Sequence, residues 1–182
     1  MNRATIIALL SLITFAANSQ ITQGNWMLGG TISYASTKYN STNYGEPHTA
    51  YDLQINPNVG YFFVDKLAGG LKARISKIGD RDKSQSYTDV NLGPFFRYYM
   101  LAPEKQVNVL TEAAYLYGFD KYTTPDKNSK HTFSFSAGPV IYFNSAVGLE
   151  MLVNYSTCKF TEFKGSNNTI RFCLGLQVHL EK

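Results

Sequence analysis

Asp52, Asp89, Glu112 and Glu150 alternate with apolar residues along the chain, and so do Lys72, Arg74, Arg97, Arg171 and His179. Charges set on one face of apolar segments must pair or coordinate something once buried. Folding the hairpins symmetrically puts Arg74 nearly opposite Asp89 and Glu112 within reach of Arg97. The chemistry on offer is an ion-pair network that fills an interior. A charged constriction passing small ions is the other use of the same groups. Catalysis has little to draw on. His48, His131 and Ser134 are the nominal acid-base and nucleophilic groups, but no spacing ties His131 to a nucleophile and a carboxylate, so no catalytic residue is assigned. His179 reads as a paired core histidine. No metal-ligand spacing occurs and no cofactor is implied. Cys158 and Cys173 lie on one face at mirrored distances from the last loop, which predicts a cross-strand disulfide in an oxidising compartment.

These residues are carried by eight segments of two-residue alternation, the period of strands and not of helices. The segments are Gly24 to Ser36, Tyr51 to Phe63, Leu67 to Ser76, Asp89 to Tyr98, Val107 to Tyr117, Thr132 to Phe143, Val147 to Ser156 and Ile170 to Leu180. In the second, Tyr51, Leu53, Ile55, Pro57, Val59, Tyr61 and Phe63 alternate with Asp52, Gln54, Asn56, Asn58, Gly60 and Phe62. Connections around Val64 to Lys66, Leu101 to Lys105 and Asn144 to Ala146 are tight. Those at Thr37 to Ala50, Lys77 to Ser86, Phe119 to Lys130 and Lys159 to Asn167 are long and polar. Eight strands of about ten residues, with short turns at one end and long loops at the other, make the smallest membrane barrel. Pro57, Pro94 and Pro139 each precede a tight connection by a few residues, which predicts a shared bend.

Which face meets lipid follows from glycine and aromatic placement. Gly29, Gly60, Gly70, Gly93, Gly138, Gly148 and Gly175 fall on the polar face, and Gly30 and Gly69 on the apolar one. The interior of an eight-stranded barrel is only just wide enough for side chains, so small residues belong inside. On the apolar face Trp26, Tyr61, Phe63, Phe96, Tyr98 and Phe143 lie near the short turns. Tyr34, Tyr51, Tyr115, Tyr117, Phe133 and Tyr155 lie near the long loops. Those are two aromatic girdles, one for each membrane interface.

Met1 to Ser19 has one early cation, Arg3, an apolar run and small residues at Ala17 and Ser19, and is read as a cleaved export signal. Residues 20–182 then form one barrel domain. Without Arg3 the formal charge of +4 falls to +3, and no basic run points to nucleic acid. The 13 Tyr and 12 Phe suit a chain that meets membrane interfaces.

The chain resembles the small outer-membrane β-barrel proteins of Gram-negative bacteria, the OmpX-like and OmpA-barrel-like class. The likeness is carried by Gly24-Asn25-Trp26-Met27-Leu28-Gly29-Gly30, Pro57 to Phe63, Gly93-Pro94-Phe95-Phe96-Arg97-Tyr98-Tyr99 and Gly148-Leu149-Glu150. One departure is the ending Leu180-Glu181-Lys182, where such barrels usually close on an aromatic residue. The resemblance implies an all-β, eight-stranded antiparallel up-and-down transmembrane barrel, monomeric, with outer-membrane lipid as its surroundings. A structural role, or surface binding through the tyrosine- and lysine-bearing loops, is expected. A narrow gated channel is one alternative. A soluble lipocalin-like binder is another, because Gly24-Asn25-Trp26 matches the Gly-x-Trp signature of lipocalins, which share the strand number.

Overall fold

A computed structural model describes residues 21–39, 48–80, 86–120, 128–160 and 166–181. The segment Met1 to Ser19 and the central parts of the four long loops lie outside the described residues. The strands are β1 (Trp26–Tyr39), β2 (His48–Val64), β3 (Leu67–Asp80), β4 (Ser86–Tyr99), β5 (Val107–Asp120), β6 (Asn128–Tyr142), β7 (Val147–Phe160) and β8 (Ser166–Leu180). Each pairs antiparallel with its sequence neighbour, and β1 pairs with β8 from Trp26↔Leu180 to Ile32↔Leu174, closing the barrel. Closure leaves no edge strand.

The alternation assigns inner and outer faces as the sequence implies, but the strands are longer. They span 14 to 17 residues, against the roughly 9–11 that a tilted strand needs to cross a bilayer. The surplus lies at the long-loop end: Thr37 to Tyr39, Lys77 to Asp80 and Asn128 to Lys130 belong to strands and not to loops. Polar residues there still pair their backbones with a neighbour, so the wall continues past the apolar belt.

Short turns are fixed by local hydrogen bonds. Asn144 Oδ1 accepts from the amides of Ala146 and Val147 at 2.8 and 2.7 Å, and Asn108 Oδ1 accepts from Leu101 N at 2.9 Å. Between β2 and β3, Lys66 has φ 67°, in the left-handed region, and the β2–β3 pairing shifts by one residue between Phe62 and Val64, as at a bulged hairpin. Its amide donates to Ile21 O at 2.8 Å, and Gln23 N donates to Asp65 Oδ1 at 2.8 Å. The residues before β1 are thereby drawn over the short-turn mouth, with the Ile21 side chain buried.

The three prolines share one device. Pro57 sits opposite Gly30 on β1, but pairing with β3 lapses between Ile55↔Ile75 and Asn58↔Lys72. Pro94 faces Leu71 on β3, and pairing with β5 lapses between Leu92↔Tyr117 and Phe95↔Ala114. Pro139 faces Val109 on β5, with a lapse on β7 between Ala137↔Val153 and Val140↔Glu150. Each lacks the N–H that the following strand would accept. Beside Pro94 the outer wall dips into an apolar recess of about 430 Å³ with Phe96, Ala113, Phe133 and Tyr155 on its sides.

Candidate functional site

The inner face supplies the site, because successive strands send every second side chain into a space of fixed width. Its short-turn half is packed with large groups. Met27, Phe62, Phe95, Tyr99 and Leu110 are buried there, beneath and beside the charges. Phe62, Tyr99 and Tyr142 surround His179, with ring centroids 5.4, 5.9 and 5.7 Å away. Tyr99 Oη lies 3.4 Å from His179 Nε2.

Above this floor, still in the short-turn half, stands Arg97, 0% exposed. Register places it directly opposite Glu112. Its Nη2 and Nε donate to Glu112 Oε2 at 2.7 and 3.1 Å, a two-pronged clamp. Its Nη1 donates to Glu150 Oε1 at 2.5 Å and to Gln177 Oε1 at 3.1 Å. Lys72 Nζ donates to the other oxygen of Glu112. Both cations also lie near the Phe95 ring, 5.7 and 5.9 Å from its centroid. Two acids and two bases from β3, β4, β5 and β7 thus neutralise one another across the lumen.

Toward the long loops the pairs are separate and wetter. Arg171 Nη2 donates to Asp52. Lys130 Nζ donates to Asp89 Oδ2 at 2.6 Å, and Asn91 Nδ2 to the same oxygen at 2.8 Å. Between the two halves lies a cavity of about 10 Å³ bordered by Lys72, Arg74 and several hydroxyl and amide groups. That is room for about one water.

The sequence reading needs two corrections. Arg74 does not pair with Asp89: it lies opposite Asn91, while Asp89 lies opposite Ser76 and takes Lys130, a residue assigned to a loop. The β3–β4 hairpin folds about a point one residue later than the symmetric estimate. Cys158 and Cys173 are both free. They face Asn167 and Leu152 respectively, six residues apart along β7. At about 3.3 Å per residue that far exceeds the roughly 7 Å Cα limit for a bridge. Gln177, Tyr99 and Lys130 were missed. Tyr99 and Phe62 were open to discovery, since each occupies an inward position in its strand. Lys130 was hidden by the loop boundary.

Candidate catalytic groups are not assembled. His131 Nδ1 lies 2.6 Å from Tyr115 Oη on the outer face, whereas Ser134 borders the lumen cavity. The side chain of His48 lies outside the described residues. Among the described residues no cluster of three or more His, Cys, Asp or Glu could hold a metal ion.

The outer face is the reverse of the inner. Leu28, Ile32, Leu71, Val90, Leu92, Phe135, Leu174 and Leu176 form an exposed apolar belt, and Phe172 is 80% exposed. Trp26, Phe63, Phe96, Tyr98 and Phe143 border it at the short-turn end; Tyr34, Tyr115, Tyr117, Phe133 and Tyr155 border it at the other. Tyr61 packs on Trp26 at 5.3 Å, and Tyr51 is half-buried. An unbroken apolar belt of this extent is untenable in water and natural in hydrocarbon. A closed barrel with charges inside and an aromatic-bordered apolar belt outside belongs to the class of small transmembrane β-barrels. No protein-family model matches the sequence, and no curated protein matches it. Among solved structures, the crystal structure of Neisserial surface protein A superposes with TM-score 0.60 at 12% identity, covering 86% of this chain and 97% of that one. The solid-state NMR structure of the outer membrane protein AlkL in DMPC lipid bilayers matches with TM-score 0.41 at 14% identity, covering 92% of each chain. The chain is similar in fold to Neisserial surface protein A.

Proposed function

We propose that this chain is a monomeric outer-membrane barrel whose lumen is closed by its own side chains and whose contacts are made through the long-loop rim. The observation that carries the reading is the Lys72–Glu112–Arg97–Glu150 network. Its side chains are 0–7% exposed and span the full width of the interior. Passage would require breaking charge pairs in a low-dielectric space, and removing one partner of such a pair costs about 3–5 kcal/mol. The barrel then acts as a rigid mount. Surface binding falls to the loops 40–47 and 121–127, with Tyr44, Lys121 and Tyr122. No catalysis is assigned, because His131 and Ser134 face opposite sides of the wall.

Planar-bilayer recording of the refolded mature chain tests the plug. The expected trace is flat at 100 mV in 1 M salt, as order-of-magnitude conditions for ions crossing a charged constriction. Stepwise conductance would put the channel reading ahead of the plugged one. Shortening either loop is expected to abolish cell or ligand binding while the barrel still shows heat-modifiable gel mobility.

A further inference from the structure

Five cations and four carboxylates meet in the ion pairs and cavity wall of the lumen, and the odd one is Arg74. Glu112 is held by Lys72 and Arg97, Glu150 by Arg97, Asp89 by Lys130 and Asp52 by Arg171. Arg74 makes no ion pair or hydrogen bond with any described residue, and its Nε is buried without a partner. Yet the residue is only 9% exposed. A guanidinium cannot shed its proton to escape that cost, and a buried charge needs a counter-charge.

The cavity beside Arg74 is bordered by hydroxyl and amide side chains, with Leu152 and Cys173 completing the wall. Asn56 Nδ2 donates to Thr31 Oγ1 at 3.2 Å, and Asn154 Nδ2 donates to Ser136 Oγ at 2.8 Å. Both hydroxyls accept one hydrogen bond there, and each keeps an O–H that is free to rotate and donate to a body in the cavity. Ser134 adds a third hydroxyl, Lys72 a second cation, and no carboxylate borders the cavity. Its volume of about 10 Å³ admits one small body and no more.

We infer that Arg74, with the hydroxyls of Thr31, Ser134 and Ser136, forms a buried site for a single chloride-sized monovalent anion. The site goes beyond the plugged-lumen reading and rests on it, because an open lumen would hydrate Arg74 and remove the need for a counter-ion. The anion completes the charge balance of the plug and stiffens the junction of its two halves.

The test uses the refolded mature chain in detergent, with sodium chloride exchanged for sodium gluconate at constant ionic strength, so that screening is fixed while the large anion is excluded by size. The readout is the temperature at which the compact gel band gives way to the unfolded one. Wild type is expected to gain on the order of 3 °C per tenfold rise in chloride above its dissociation constant. Arg74→Gln is expected to lose that dependence, and Ser136→Ala to weaken it. Identical wild-type curves in chloride and gluconate would overturn the site, as would a chloride response retained by Arg74→Gln. Should Arg74→Gln fail to fold, anomalous diffraction from wild-type crystals grown in bromide decides: a peak beside Arg74 is expected, and its absence refutes the site. Failure of the plug is read separately, as bilayer conductance.

Discussion

The two halves of the lumen use the same chemistry for different ends. Near the short turns, Arg97 is sealed between Glu112 and Glu150 and floored by Phe62, Phe95 and Tyr99, all of them 0–2% exposed. Near the long loops, Asp52–Arg171 and Asp89–Lys130 keep 7–18% of their side chains in contact with solvent. Coulomb attraction and desolvation both grow as water is removed. A pair of the second kind therefore adjusts the rim, while the first kind decides whether the interior can assemble at all.

The largest effect should come from breaking the sealed half. Arg97→Met keeps Lys72 on Glu112 but leaves Glu150 with no cation in hydrogen-bond range. An uncompensated buried charge costs about 3–5 kcal/mol, measured as a shift in the urea unfolding midpoint of the lipid- or detergent-embedded barrel. A loss under about 1 kcal/mol would place this network in the weak class of exposed pairs and erase the contrast between the halves.

The next effect sharpens the contrast by moving the charge outward. Leu174 lies on the lipid face and is 58% exposed. Leu174→Arg puts a guanidinium there with no carboxylate to meet it, at an expected cost of about 2–4 kcal/mol if the site is near the bilayer midplane. The same side chain that anchors the interior at position 97 should thus damage the exterior at 174. If the substitution were neutral in lipid and stabilising in water, the faces would be reversed and a soluble cup favoured.

How far the sequence carried this picture depends on what alternation encodes. It fixes parity, so all nine ionisable residues singled out for the interior occupy inward positions in their strands. It does not fix register, which depends on where each hairpin folds. Arg97 and Glu112 flank a tight turn, whose centre has little freedom, and they do lie opposite one another. Arg74 and Asp89 flank a longer loop, and the true pairing is Arg74↔Asn91. The error grows around the last loop, where Cys158 faces Asn167. The aromatic floor was obscured for another reason. Phe62 sits between two outward aromatics, Tyr61 and Phe63, so only its parity distinguishes it from the girdle.

A smaller loss is expected from the open half. Arg171→Ala removes the partner of Asp52, but the carboxylate can turn to water and to Gln54, whose Nε2 lies 3.4 Å away. The expected change is about 1 kcal/mol or less, and it should shrink as salt is raised. A loss comparable to that of Arg97→Met would show that the interior is equally dry along its whole length.

The smallest effect is a null in stability that still separates the halves. Cys173 is buried and Cys158 half-buried, closer to the long-loop rim. With six residues between their facing positions on β7, no rotation of side chains joins the sulfurs, and only a different register could. Reductant should therefore leave the unfolding midpoint unchanged. Under non-reducing, denaturing alkylation the intact mass should carry two adducts. In the folded barrel, Cys158 should react first, because the thiolate must be reached by the reagent as well as formed. A mass lower by two hydrogens with no adducts would mean that β8 sits about six residues from its present place against β7. That shift would preserve the inward parity of both cysteines, yet it would move Arg171 away from Asn154 and undo its pairing with Asp52, so the same experiment also tests the register on which the rim pairs depend.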